Sequence, residues 1–200
     1  AIKESAAWLK TQGFEVDYAP VDARGFVKVD ALANLLRPDT TLVSVMAVNN
    51  EIGSIQPIHD IAALLEDRPT VSFHVDAVQA LAKVATEVYL PERVDFATFS
   101  SHKFHGLRGV GFVYIKEGKK ITPLLTGGGQ EKEMRSTTEN VAGIAATAKA
   151  LRLAMENQEA FASKTQQMKE VIRKELANYP DVTIFSGEDY FAPHILTFGI

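Results

Sequence analysis

The chain has 200 residues, 46% of them hydrophobic and 23% charged, with 21 Lys+Arg against 25 Asp+Glu for a net charge of −4. That balance excludes a disordered chain and lacks the basic excess expected of a nucleic-acid partner; no run approaches the roughly 20 apolar residues of a membrane span. Cysteine is absent, which removes disulfides, thiolate metal sites and a cysteine nucleophile from these residues.

The sequence opens at Ala1 without an initiator Met, a secretion signal or a transit peptide. Ile2, Ala6, Leu9 and Lys10 already lie at helical spacing, and Phe198-Gly199-Ile200 ends in a β-like run, so the reading is a segment of a longer, cytoplasmic protein lacking both ends. After Gly13, the alternation from Phe14 to Ala19 predicts a strand. Asp30 is a candidate N-cap for a helix through Leu36, stopped before Pro38, and Leu42 to Val48 reads as a nearly continuous buried strand. Pro57 fits the first turn of a helix carrying Ile58, Ile61, Ala62 and Leu65, which returns to a strand at Val71 to Val75. A helix-like run from Val78 to Val84 precedes strands at Val94–Phe99 and Val110–Ile115. This βαβαβ order predicts a doubly wound α/β fold, its mostly parallel sheet flanked by helices. Residues from Glu139 to about Asn178 read as helical, followed by strands at Asp181–Ser186 and His194–Phe198. A domain change is expected near residue 155, with 1–155 as a large domain and 156–200 as the start of a small α/β domain.

Ligands of open α/β sheets sit beyond the carboxyl ends of the strands. Three such ends are polar: Asn49 and Asn50 after the Leu42 strand, Asp76 and Gln79 after the Val71 strand, and Ser100, Ser101, His102 and Lys103 after the Val94 strand. The spacings Asn50 to Asp76 and Asp76 to Lys103 each fit one βαβ unit and bring the clusters to one sheet edge. An amine, a carboxylate and several donors together suit pyridoxal phosphate, which needs a lysine for its aldehyde, an acid for its ring nitrogen and donors for its phosphate. Lys103, Asp76, and Ser100 with His102 fill those roles. Residues 100–135 carry seven Lys/Arg against three Asp/Glu, a local excess that attracts a small anion.

Five ordered stretches carry a resemblance: Val48-Asn49-Asn50-Glu51-Ile52-Gly53, His74-Val75-Asp76-Ala77-Val78-Gln79, Ser100-Ser101-His102-Lys103 with Gly106, Gly127-Gly128-Gly129-Gln130-Glu131, and Arg135-Ser136-Thr137-Thr138-Glu139-Asn140. They resemble the motifs of cysteine desulfurases within the class V aminotransferases, over nearly the whole chain. The resemblance implies the fold type I pyridoxal-phosphate transferase architecture and a homodimer that converts L-cysteine to L-alanine and an enzyme-bound persulfide. It also implies a sulfur-acceptor or iron–sulfur scaffold partner. Carried over by position, Lys103 is the Schiff-base lysine, Asp76 partners the pyridine nitrogen and Gln79 bonds the ring hydroxyl. Asn50 lies near that hydroxyl and the substrate carboxylate, Ser100 and His102 bind phosphate, and Thr138 contacts the phosphate of the other subunit's cofactor.

The sequence departs from the pattern at Leu107, where the family usually has Pro, at His105, where an aromatic is common, and at Thr137, where Gly is usual. A β-branched residue does not readily adopt positive φ, so the loop at Thr137 is expected to run differently. The family's ring-stacking His and a further phosphate turn fall upstream of this segment and its persulfide-forming Cys downstream, so the isolated segment is expected to form no persulfide on itself. A selenocysteine lyase or a transaminase would use the same lysine and aspartate. Outside that class, His74, Asp76, His102 and His105 admit a metal-dependent hydrolase, and a non-catalytic interaction module is a further alternative. Gly127-Gly128-Gly129 lacks the remainder of a P-loop and reads as a turn. His59 and His194 read as structural, and Phe112 and Tyr114 as strand-face residues.

Overall fold

In the computed structural model, which describes residues 2–200, the apolar runs pair as three parallel strands, Leu42–Met46 (β1), Ser72–Asp76 (β2) and Phe96–Ser100 (β3). Gly111–Ile115 (β4) returns antiparallel to β3, giving the order β1-β2-β3-β4. The helices are Ile2–Thr11 (α1), Val29–Leu35 (α2), Ile58–Leu64 (α3), Thr86–Tyr89 (α4), Val141–Glu156 (α5) and Gln158–Leu176 (α6), and a small antiparallel pair joins Thr183–Ile184 (β5) to Phe198–Gly199 (β6). Ala1, where the sequence opens, lies outside the described residues.

Strand side chains alternate faces, and here the alternation separates core from site. Val43, Phe73, Val75, Ala97 and Phe99 are buried together with Ile58, Ile61 and Leu65 around α3, each large side chain contributing about 1.5–3 kcal/mol by leaving water. Ser44, His74, Asp76, Thr98 and Ser100 share the opposite, half-buried face. At the start of β3 the buried Asp95 carboxylate accepts from Phe73 N at 2.9 Å and pairs with Arg93 at 2.8 Å and Lys119 at 3.1 Å. Arg93 also donates to the carbonyls of Leu65, Arg68 and Val71. This cluster ties three connections to one end of the sheet. Burial pushes the Asp95 carboxyl up, but the Phe73 N–H and the two cations outweigh it and hold it below its ordinary value.

Several predicted elements take another form. Phe14–Ala19 forms no strand: among the described residues no neighbour pairs with it, Phe14 and Tyr18 are exposed, and Glu15 and Asp17 pair with Arg37 instead. Val78–Val84 is a series of turns, because Ala82 adopts φ +60° and interrupts the helical path after Ala80 N and Leu81 N have bonded back to Ala77. Asp30 falls inside the first turn of α2 and Lys28 takes the cap position; an acid there still complements the helix dipole. Of the predicted C-terminal strands, Asp181–Ser186 contracts to β5, and His194–Phe198 shares only Phe198 with β6. The long helical run breaks at Asn157, between α5 and α6. The chain that follows folds back on the loop after β1: Ser186 Oγ donates to Ile52 O at 2.7 Å, and Ala192 N to Gly53 O at 2.7 Å.

Candidate functional site

In the sheet register Met46 stands opposite Asp76 and Asp76 opposite Thr98, so β1, β2 and β3 end at nearly one level. The chain beyond β1 is shaped by Asn49, whose Oδ1 accepts from Glu51 N and Ile52 N, both at 2.9 Å. Gly53 completes the turn at φ +85°, where a Cβ would meet Ile195 at 2.9 Å. Asn49 is thus the loop's builder, and Asn50 is left exposed at its tip.

Asp76 closes β2 half-buried, and its Oδ1 accepts from Val78 N at 3.1 Å. That bond aims the chain into the turn that carries the half-buried Gln79. Two residues back on the same face, His74 Nδ1 lies 2.7 Å from Ser44 Oγ and Nε2 lies 3.1 Å from Thr98 Oγ1. This polar line crosses all three parallel strands. Burial holds the His74 imidazole below its ordinary value against the opposing pull of Asp76, so both ring nitrogens can serve the two hydroxyls as one donor and one acceptor.

After Ser100 the chain makes a tight turn, Ser101–Phe104. Ser101 is fully buried, with Oγ 2.6 Å from Thr147 Oγ1 on α5. Thr147 in turn donates to Gly143 O, and Asn140 caps α5 by accepting from Gly143 N. His105 ends the turn at φ +70°, and a Cβ on Gly106 would stand 2.2 Å from Ser101 Oγ. The motif's glycine is required by that approach. Held so, the turn leaves His102 exposed and Lys103 half-buried.

Lys103 lines a cavity of about 320 Å³ with Lys83, Phe104, Ala150, Leu153 and Phe161. Asn50, Asp76, Gln79, Ser100 and His102 lie outside that lining. Among the described residues no side-chain hydrogen bond or ion pair joins Lys103 to any of them. The fold therefore gathers these five and Lys103 at the strand ends without linking their side chains. Thr138 is exposed in the stretch before α5. Thr137 adopts no positive φ; the loop turns earlier, through Gly127, Gly129 and then Glu131, Lys132 and Glu133 at φ +50°, +56° and +66°. No three His, Cys, Asp or Glu side chains gather into a metal-ligand group among the described residues.

Sequence reasoning missed the Ser44–His74–Thr98 line and Lys83. The first had a signal, since polar residues recur at period two toward the ends of all three strands. Lys83 had none, because its cavity depends on helices more than sixty residues away. The donor set fits pyridoxal phosphate: an amine with no carboxylate partner among the described residues, a carboxylate fixed through one oxygen, an amide, and a hydroxyl and imidazole two residues apart.

The whole chain, residues 1–200, matches the aminotransferase class-V family. A NifS/IcsS protein homolog of Lactobacillus delbrueckii subsp. bulgaricus is 51% identical over 193 residues, covering 96% of this chain and 50% of that protein. The cysteine desulfurase IscS of Clostridium botulinum is 44% identical over 190 residues, covering 94% and 47%. Among solved structures, a NifS-like protein superposes with a TM-score of 0.93 at 40% identity over 98% of this chain and 54% of its own. DndA from Streptomyces lividans reaches 0.89 at 31% identity, covering 98% and 56%. The chain spans about half the length of these two curated relatives. Among the described residues no helix is long and apolar enough to cross a membrane.

Proposed function

Because this chain belongs to the aminotransferase class-V family, we propose that it is the central part of a pyridoxal-phosphate-dependent cysteine desulfurase. The observation that carries the reading is the convergence on one sheet edge of Asp76, at the end of β2, with Ser100 and the Lys103 turn, at the end of β3. Two relatives named for the activity or its family at 44–51% identity support it.

In this reading Lys103 supplies the amine that holds the cofactor's aldehyde and later moves protons on the substrate and product carbons. The half-buried Asp76 carboxylate, fixed by Val78 N, keeps a proton on the ring nitrogen by charge. Gln79 bonds the ring hydroxyl, and Asn50 on its exposed tip reaches that hydroxyl and the substrate carboxylate. Ser100 and His102 hold the phosphate, and Thr138 serves the cofactor of a second subunit in a homodimer. When bound, pyridoxal phosphate supplies an electron sink for negative charge on the substrate carbon. Sulfur leaves L-cysteine toward a thiolate, the side chain able to carry a persulfide. This chain has no cysteine, so the thiolate is supplied by residues outside these 200. A sulfur-accepting scaffold partner, a cytoplasmic setting and a domain boundary at 155/156 belong to the same proposal.

Borohydride reduction after addition of pyridoxal phosphate, followed by peptide mapping, tests the assignment. The pyridoxyl group is expected on Lys103; its appearance on another lysine overturns the site. Alanine and sulfide release from L-cysteine, measured for these residues alone and for the longer protein, tests the division of labour.

A further inference from the structure

Lys83 belongs to no part of the machinery described so far, yet it shares the Lys103 cavity. Most of that lining is apolar: Leu81, Phe104, Leu153 and Phe161 among others. The Lys83 ammonium is half-buried and has no hydrogen bond or ion pair among the described residues. The charged and titratable groups that face it are Lys103 and His105 in the lining, His194 with its ring centroid 6.4 Å from that of Phe161, and Lys169, which acts on His194 in turn. None is an acid. Both ring nitrogens of His194 are buried without a hydrogen-bond partner among the described residues, so this imidazole supplies Lys83 with no bonded acceptor.

We propose that Lys83 is a second carbonyl-reactive amine of this chain, forming an imine with small, uncharged, apolar aldehydes that enter the cavity it shares with Lys103. A lysine desolvated by apolar walls and set beside another cation is the arrangement that makes an amine nucleophilic near neutral pH. Burial first, and the Lys103 charge second, lower Lys83 to about 8. At pH 7.5 such a group is free base roughly a quarter of the time, against roughly one part in a thousand for an ordinary lysine. The Nζ lone pair attacks the carbonyl carbon, the carbonyl oxygen leaves as water with both amine hydrogens, and a C=N bond remains. No redox partner is needed. The choice of an apolar, uncharged aldehyde follows from the walls, and the inference rests on the cofactor reading only in assigning Lys103 to the cofactor's aldehyde.

The test is reductive benzylation: the purified protein is treated with benzaldehyde and cyanoborohydride at pH 7.5, and each lysine is followed by peptide mass mapping. Lys83 is expected to be modified at least tenfold faster than the median lysine, with a rate midpoint near pH 8. K103M should slow the Lys83 reaction by raising that midpoint, and K83R should abolish the fast phase. Labelling that follows surface exposure, or a fast phase on Lys103 with none on Lys83, overturns the proposal. Pyridoxal phosphate loading of K83R separates the two readings. Loading on Lys103 in that variant leaves the cofactor site standing whatever benzaldehyde does, whereas loss of cofactor modification in K83R with benzylation of Lys83 retained in wild type sinks the cofactor site alone.

Discussion

Two short tight turns, Ser101–Phe104 after β3 and Glu131–Glu133 before α5, both come from mostly polar stretches, and they are built in opposite ways. The first keeps ordinary backbone angles until His105, buries Ser101 and Phe104, and bonds to α5. The second is left-handed at all three residues and buries none of them. Its surrounding backbone bonds, Ser136 N to Leu125 O and Glu133 N to Gly129 O, stay within the loop. Leu124 beside it is 90% exposed. Motif residues alone therefore do not make a fixed site; buried partners from elsewhere in the fold do.

The contrast can be broken most forcefully at the root of the ordered turn's strand. Asp95→Asn leaves Arg93 and Lys119 without their acid and should cost about 3–5 kcal/mol in chemical denaturation, the loss typical of a severed buried pair. The wild-type contribution follows from a depressed folded-state value: it is full above the ordinary carboxylate range and fades as pH falls through the lower native one. An acid-unfolding curve that the Asn variant leaves unshifted would contradict this role. Next in size is Gly106→Ala, whose methyl has no space beside Ser101 Oγ. It should cost about 1–3 kcal/mol through forced shifts, and it should lower cofactor occupancy at Lys103 as read by absorbance. Thr147→Val strands the Ser101 hydroxyl in a buried setting and should lose about 1–2 kcal/mol by denaturant midpoint.

The outer turn should respond with the other sign. Lys132→Gly removes a side chain from a left-handed position and should stabilise by about 1 kcal/mol, since that conformation costs roughly 1–2 kcal/mol for a residue with a Cβ. A destabilised variant would mean that the strain is matched by contacts on the Lys132 side chain. A further response, this one to pH, is expected on the α6 side of the lysine cavity. Burial, then Lys83 and Lys169, lower His194 to about 4. Unfolded histidine binds its proton near 6.5, so stability should decline as pH falls from there toward about 4 and then level off on this account. His194→Phe should flatten that decline when stability is measured across the interval.

The strands were legible because each is a short β-branched or aromatic run bounded by turn residues, and the spacings from Asn50 to Asp76 and from Asp76 to Lys103 place all three at the same edge from the sequence alone. What was not legible depends on partners far along the chain. Phe14–Ala19 has the alternation of a strand and no strand to pair with. Val78–Val84 has helical spacing, but the left-handed Ala82 redirects it toward the cavity. The side on which Lys103 rests is set by Ala150 and Phe161 on helices that start long after it, and no local pattern encodes that meeting. Conversely, Gly106 reads in the sequence as a motif position, and the structure supplies its reason in the close approach to Ser101.

The loop that presents Asn50 is short, yet it is closed by residues made much later. Ser186 Oγ bonds to Ile52 O across 134 positions, and Ile55 N and Gly53 O are taken by Tyr190 O and Ala192 N. During synthesis from the N-terminus the three parallel strands can pair while these loop groups still face water. This sheet edge thus matures in two stages, with the lysine turn waiting for Thr147 and the asparagine loop waiting some forty residues longer. At a translation rate of about 5–20 residues per second that gap lasts a few seconds, an interval in which a nascent chain has a sheet but not yet a finished rim.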